Sequence, residues 1–270
     1  MAQQHSPSNA SPAAPVAIIL AAGKGTRMKS DLPKVLHPIG GRPMVAAVVQ
    51  ACRDAGCGRV ILVVGYKQEL VREAFAHDRG VEFCVQDQQL GTGHAVQSCA
   101  EAMRAGAAQP GQAVFVLAGD GPLIRAATLR ALLARHRERG AAATLATSVI
   151  ADPTGYGRIV RDAGGKFGGI VEHKECTPEQ LRIREVNPSY YCFDAAALFQ
   201  TLPRVKRQAV SGEYYLTDVP ALLLAEGRVV EVIDAVPPED VLSINTLEQL
   251  AEVDAIYRSR GGAVAPGATR

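Results

Sequence analysis

Apolar residues fall along this 270-residue chain in two patterns that take turns. Short unbroken runs, "VAIILAA" (16–22), "RVILVVG" (59–65) and "AVFVLAGD" (113–120), have strand length and the composition of strands buried on both faces. "VEFCVQ" (81–86) and "AAATLATSV" (141–149) read as further strands. Between them apolar positions recur at helical spacing over 43–56 (stopping at Gly56), 68–76, 94–106 and about 126–139. Strands alternating with helices in this way predict an α/β, Rossmann-like, mostly parallel sheet with helices on both faces.

The pattern changes after residue 150. "GRIVRD", "KFGGIVEHKE" and "RIREVNPSYYCFD" have little helix between them and read as a small antiparallel insertion at about 152–193. Helices resume near 194–202 and 217–226, followed by a strand at 229–234. "VLSI" (241–244) reads as a strand leading into a helix that runs to Ile256, with Asn245 or Thr246 able to cap it. The expected organisation is a leader over 1–15, one domain over 16–258 and a loose tail over 259–270.

Composition narrows the class. Hydrophobic residues make up 47% and charged residues 21%, the balance of a folded globule. The net charge of +2 is small and its basic residues are dispersed, which argues against nucleic acid or a membrane surface as partner. No apolar run approaches the roughly 18 residues of a membrane span. The first 15 residues have neither a basic start nor an apolar segment, so no secretory signal is read there. The six cysteines form no CxxC and read as free thiols in a reducing cytosol, giving a cytoplasmic expectation.

The chemistry gathers around glycine-rich strand ends. Gly23 and Gly25 follow the first buried strand, where glycine lets backbone N–H groups turn inward around an anion. Lys24, Arg27 and Lys34 bring positive charge nearby. The stretch has neither G-x-G-x-x-G nor G-x-x-x-x-G-K-[ST], so it is neither a dinucleotide nor a Walker loop. Asp120 closes a strand where α/β proteins bind ligands. It reads either as a Mg²⁺ ligand beside a phosphate or as a turn cap before Gly121-Pro122. "QDQQLGTGHA" (86–95) repeats the design, with Gly91 and Gly93 around Thr92 at the start of a helix. Asn245 reads as a helix cap or as a neutral second metal ligand. No nucleophile elbow appears, and His94 and His173 read as polar contacts. Transfer of a phosphoryl or nucleotidyl group needs alignment and charge neutralisation more than side-chain nucleophiles.

Together, "LAAGKGTRM…LPKVLHPIGGRPM", "VQDQQLGTGHA", "GDGPLI", "DPTGYGRIV", "GIVEHK" and "GEYYLTDV" resemble the sugar-1-phosphate nucleotidyltransferases. In particular, they resemble the uridylyltransferase domain of the bacterial bifunctional N-acetylglucosamine-1-phosphate uridyltransferase/glucosamine-1-phosphate acetyltransferases. The resemblance covers about residues 16–258 and implies a nucleotide-diphospho-sugar transferase fold. It implies that Leu20, Ala21, Ala22, Gly23 and Gly25 line a nucleotide, with Arg27 and Lys34 on its phosphates as catalytic groups. Gln86, with Gly91 and Thr92, would read uracil. Asp120 and Asn245 would hold Mg²⁺, and Gly157, Glu172 and Asn187 would meet the sugar. The implied substrates are UTP and N-acetylglucosamine 1-phosphate, and the products UDP-N-acetylglucosamine and pyrophosphate.

Three positions depart from the family pattern. Ala118 stands where tyrosine is usual, Asn187-Pro188-Ser189 replaces Asn-Thr-Gly, and Gly121-Pro122-Leu123 replaces Val-Pro-Leu. The first two bear on the sugar, so another hexose, amino sugar or cyclitol phosphate is the alternative acceptor. A non-catalytic nucleotide-sugar sensor is the second alternative. The β-helix repeats of the bifunctional relatives do not occur in this sequence. No acetyltransfer is therefore expected of it, and a monomer or weak homo-oligomer is the expected state.

Overall fold

The computed structural model describes residues 13–106 and 111–262. Residues 1–12 and 263–270, which hold most of the expected leader and tail, lie outside the described residues. Strand β1 (Val16–Leu20) leads into a long loop with single 3₁₀ turns at Thr26–Met28 and Lys34–Leu36. A small hairpin, β2 (Pro38–Ile39) and β3 (Arg42–Pro43), precedes helix α1 (Met44–Asp54). Then follow β4 (Arg59–Val64), α2 (Gln68–Ala74), β5 (Val81–Val85), α3 (Thr92–Gln97), α4 (Ala100–Ala105) and β6 (Ala113–Ala118). The chain continues through α5 (Ala126–Glu138), β7 (Ala143–Val149), β8 (Gly157–Arg161), β9 (Phe167–Val171) and β10 (Glu185–Asp194). It closes with α6 (Ala195–Thr201), α7 (Asp218–Ala225), β11 (Val230–Asp234) and α8 (Leu247–Ser259).

The main sheet has nine strands, seven of them in the order β11-β7-β10-β6-β1-β4-β5, with β8 and β9 attached beside β10. β1 is parallel to both β4 and β6. Its unbroken apolar sequence follows from burial on both faces: Ala17 and Ile19 join one apolar cluster, with α1 and α5, while Val16 and Ile18 join the other, with α3, α6 and α7. From β1 the chain builds outward through β4 and β5, then returns to place β6 on the other side. This reversal opens a crevice at the carboxyl ends of β1 and β6, where open α/β sheets take their ligands.

The expected α/β sheet is present, and the antiparallel stretch has a particular place in it. β10 lies inside the main sheet, antiparallel to β6 on one side and to β7 on the other. Only the β8–β9 hairpin stands off the main path, with β8 paired to the start of β10.

Three local readings change. The helix expected over 94–106 starts at Thr92 and breaks into α3 and α4. At the break, the Ser98 hydroxyl donates to the Ala95 carbonyl at 2.7 Å, the local competition that disfavours serine inside helices. The run "VLSI" is not a strand: Pro238–Val241 forms a 3₁₀ turn, and Ile244 packs with Met28, Met44, Leu123 and Val253 beneath α8. The β2–β3 hairpin was not anticipated; its turn places both Gly40 (φ 54°) and Gly41 (φ 83°) in the left-handed region, as two-residue hairpin turns require.

Candidate functional site

A cavity of about 460 Å³ opens at the carboxyl ends of β1 and β6. Leu20 and Ala118, which pair across these strands, form part of its floor. Gly119, next in the chain, sends its N–H to the Leu20 carbonyl at 3.0 Å, and a Cβ there would lie 2.8 Å from that oxygen. The chain can therefore turn Asp120 into the cavity only because residue 119 has no side chain.

The loop after β1 forms one wall. Gly25 takes a left-handed φ of 65° and caps the Thr26–Met28 turn that carries Arg27. A Cβ on Gly25 would sit 2.5 Å from the Lys34 Cβ, so glycine lets the Lys34 stem cross the loop. Pro33 opens the turn that starts at Lys34, and Lys34 reaches across to the carboxylate of Asp120 and forms an ion pair with it. The same ammonium donates to Asn245 Oδ1 at 2.7 Å, and Arg27 Nη2 donates to that oxygen at 2.7 Å. Two donors on one amide atom establish it as the oxygen. The amide's other end donates to Ser243 Oγ at 3.2 Å, which holds the oxygen toward the cavity.

This arrangement removes the cap readings left open by the sequence. Thr246, not Asn245, caps α8, in a capping box with Gln249. The Asn245 side chain is thereby left to the cavity. Asp120 spends its carboxylate on Lys34 rather than on a turn N–H. Its own carbonyl accepts from the Ile244 N–H at 3.0 Å, which ties the Asp120 and Asn245 segments together.

On the opposite wall, Glu172 is half-buried and accepts from the Thr217 hydroxyl at 3.2 Å. Burial pushes its carboxyl above the ordinary carboxylate range, opposed by the Thr217 bond and reinforced by Glu213, Asp218 and Glu175. Tyr191 and Ser189 of β10 complete this wall. Ser189 holds a left-handed φ of 64° in the irregular stretch between Val186 and Tyr190, and its N–H donates to Asn187 Oδ1 at 3.1 Å.

Ten of the anticipated residues line the one cavity: Leu20, Ala21, Gly23, Gly25, Arg27, Lys34, Thr92, Asp120, Glu172 and Asn245. Five stand outside its lining. Ala22 accepts backbone and side-chain bonds from Tyr66 and Gln89 at 3.1 Å each. Gln86 is buried behind the Gly91 turn, its amide nitrogen 3.0 Å from the Gly91 carbonyl and 3.2 Å from His94 Nδ1. Gly91 abuts Tyr214. Gly157 and Asn187 pair across β8 and β10. The Asn187 amide donates to the Tyr191 hydroxyl at 2.6 Å, so it supports the wall from behind. His173 also takes a polar contact, accepting from the Gly155 N–H at 3.3 Å.

Sequence reasoning did not single out Tyr191, and it marked Thr217 only as part of the "YYLTD" segment, which the resemblance implies shapes the far wall. Tyr191 is one of two adjacent tyrosines, and only the direction of β10 decides which faces the cavity. The bond from Thr217 to Glu172 spans 45 positions and has no local signal.

Asp120 and Asn245 turn their oxygens to one point, which the Lys34 ammonium takes in this structure. A carboxylate and an amide oxygen converging on a cation suit a hard divalent ion, which prefers oxygen ligands. Among the described residues, no group of three or more His, Cys, Asp or Glu side chains converges as a metal site. An ion here would therefore need further oxygens from a bound phosphate.

Fold and crevice define an open-sheet α/β protein with a cavity at the carboxyl ends of its central strands, and comparison places it: the chain belongs to the family of MobA-like NTP transferase domains, whose model matches residues 17–208. Among curated proteins it is 46% identical over 244 residues to Bifunctional protein GlmU of Geobacter metallireducens, covering 90% of this chain and 50% of that protein. It is 47% identical over 248 residues to Bifunctional protein GlmU of Carboxydothermus hydrogenoformans, covering 92% of this chain and 54% of that protein. These similarities bear out the resemblance drawn from the motifs. The chain spans about half the length of the curated relatives it matches. A crystal structure of UDP-glucose pyrophosphorylase complexed with UDP-glucose superposes with a TM-score of 0.71 at 18% identity. It covers 92% of this chain and all of that one, and it establishes the shared fold. No described helix is long and apolar enough to cross a membrane.

Proposed function

We propose that this chain transfers a uridylyl group from UTP to N-acetylglucosamine 1-phosphate, giving UDP-N-acetylglucosamine and pyrophosphate, with Mg²⁺ as cofactor and the cytoplasm as its compartment. The observation that carries the reading is the meeting of Arg27, Lys34, Asp120 and Asn245 beside the glycine loop, with Glu172 and Thr217 across the same cavity. The similarity to the bifunctional GlmU proteins supports the choice of substrates.

In this reaction an oxygen of the sugar phosphate bonds to the α-phosphorus of UTP. The bond from that phosphorus to the bridging oxygen breaks, and pyrophosphate leaves with the electron pair. The attacking oxygen is already ionised at neutral pH, so no side chain has to remove a proton. Arg27 and Lys34 offset the negative charge of the transferred and leaving groups. Asp120 and Asn245 would hold the metal ion, which when bound supplies charge neutralisation and alignment of phosphate oxygens. The Glu172 carboxyl, fixed by Thr217, faces the acceptor side and can hydrogen-bond a sugar hydroxyl.

A second acceptor reading has its own support. Ala118 and Ser189 both line the cavity, where the family pattern has tyrosine and glycine. The smaller residue at 118 leaves room for a different hexose or cyclitol phosphate. A pyrophosphate-release assay with Mg²⁺, a set of nucleoside triphosphates and a panel of sugar 1-phosphates separates the readings. Turnover with UTP and N-acetylglucosamine 1-phosphate is expected. Asp120→Ala should lower kcat at least about 100-fold. Turnover with UTP only on another sugar would overturn the acceptor, and nucleotide binding without turnover on any acceptor would leave a sensor.

A further inference from the structure

A second cavity, of about 410 Å³, shares no lining residue with the first. It lies where the β2–β3 hairpin and α1 meet the segment joining α2 to β5. Its polar lining is Arg42, Arg53, His77, Arg79 and Asp78. Three arginines thus share this lining with one aspartate.

That carboxylate is already committed. Arg53 Nη2 donates to Asp78 Oδ1 at 2.6 Å, and the Gly80 N–H donates to the same oxygen at 3.1 Å. The Arg53 bond holds the Asp78 carboxyl below the ordinary carboxylate range, with a smaller contribution from Arg42. Arg42 and Arg79 have no carboxylate partner among the described residues and are exposed on their outer sides. Elsewhere arginines at inter-element contacts meet acids directly, as in Arg59–Glu82 and Arg161–Glu185. Arg42 and Arg79, lining one concave space without a carboxylate of their own, repel each other, and an anion entering that space removes the repulsion. Pro43, Ala46 and Phe75 give the cavity an apolar side as well.

We propose that this cavity binds a small phosphate monoester, with Arg42 and Arg79 on the phosphate and the apolar side against the body of the molecule. Guanidinium forks match phosphate oxygens in geometry and charge. Arg53, tied to Asp78, closes the cavity and keeps the carboxylate from repelling the ligand. The cavity volume accommodates a nucleoside monophosphate or a hexose phosphate.

The test is calorimetric titration at fixed ionic strength with AMP, glucose 6-phosphate and inorganic phosphate. Three proteins are compared: the parent, R42A/R79A and Lys34→Met. Arg42 and Arg79 are exposed, so their removal spares the core; circular dichroism, and pyrophosphate release from UTP and N-acetylglucosamine 1-phosphate without added AMP or glucose 6-phosphate, should match the parent. Each charge-assisted contact contributes about 1.5 kcal/mol or more, so R42A/R79A should bind at least one probe about 100-fold more weakly. Lys34→Met should retain that binding, which separates this site from the first cavity. AMP or glucose 6-phosphate is expected to bind more tightly than inorganic phosphate, and inorganic phosphate bound as tightly as either ester would overturn the monoester. Binding that is unchanged in R42A/R79A, or lost only in Lys34→Met, would overturn the proposal.

Discussion

Gly91 offers the sharpest test of how the site is built. It has a φ of 105°, and a Cβ there would lie 2.6 Å from the Tyr214 carbonyl oxygen, 2.8 Å from its nitrogen and 2.9 Å from the Glu213 Cβ. Two of these neighbours are backbone atoms engaged on either side of the glycine. The Tyr214 N–H donates to the Leu90 carbonyl at 2.8 Å, and the Gly93 N–H donates to the Tyr214 carbonyl at 2.8 Å. No rotamer change can relieve the overlap, so the two segments must separate. With a ψ of 176°, Gly91 occupies a region essentially reserved for glycine, which costs an L-residue about 1–3 kcal/mol. Overpacking against fixed atoms adds about 1–3 kcal/mol. Gly91→Ala is therefore expected to lose about 2–6 kcal/mol, a shift of about 0.7–2 M in the urea midpoint at a slope of about 3 kcal/mol/M. Separation would also draw Thr217 away from Glu172, so KM for the sugar phosphate should rise. Gly23→Ala is the control, because nothing lies within 4 Å of its Cβ. Its stability should stay within about 0.5 kcal/mol of the parent. A Gly91→Ala protein with the parent's midpoint, or a Gly23→Ala protein equally destabilised, would refute this account of the two glycines.

Other expectations follow from the same contacts. Lys34→Met removes the ammonium held by Asp120 and Asn245. Affinity for UTP should fall about ten-fold or more, a loss of at least about 1.4 kcal/mol. Mn²⁺ should meanwhile bind the nucleotide-free variant more tightly than the parent, as read by the free-ion paramagnetic signal; weaker Mn²⁺ binding would contradict the shared position. Burial raises the Glu172 carboxyl in the folded state, so the native protein holds that proton more tightly than the unfolded chain. Ionising it costs stability as pH rises through the raised value, and Glu172→Gln removes that cost. The variant should gain stability over the parent at pH 8 and lose the advantage below the ordinary carboxyl value of about 4.3; urea midpoints at both pH values decide it. Ala118→Tyr fills space beside Asp120 and should favour N-acetylglucosamine 1-phosphate over larger acceptors by about ten-fold in kcat/KM, a step within reach of a small change in pocket volume.

Much of this architecture could be read from the chain. The apolar runs of β1, β4 and β6 are continuous because helices cover both sheet faces, and that condition leaves its mark on every residue of the run. The glycines at 23 and 25 were legible because a tight loop directly after a buried strand carries glycine locally, as the left-handed Gly25 shows. Asn245 was harder: at a helix start, a cap and a ligand have the same sequence signature. The Thr246–Gln249 capping box takes the cap role from Asn245, and that outcome depends on backbone angles that no spacing specifies. Gln86 and Asn187 show the converse. Their motifs mark the right region, but their amides face Gly91 and Tyr191 behind the cavity walls.

By itself, the sequence determined the main alternation of strands and helices, the buried central strand and the glycine-rich turn at its end, because periodicity and conformational freedom are properties of neighbouring residues. Tertiary structure alone decided that β10 runs antiparallel through the middle of the sheet, since a strand's partners depend on competition among all strands. It alone brought Lys34 to Asp120, 86 positions away, and to Asn245, 211 positions away. Those side chains meet because the chain reverses direction across the sheet between β1 and β6, and contacts of that range are created by topology rather than by any local pattern.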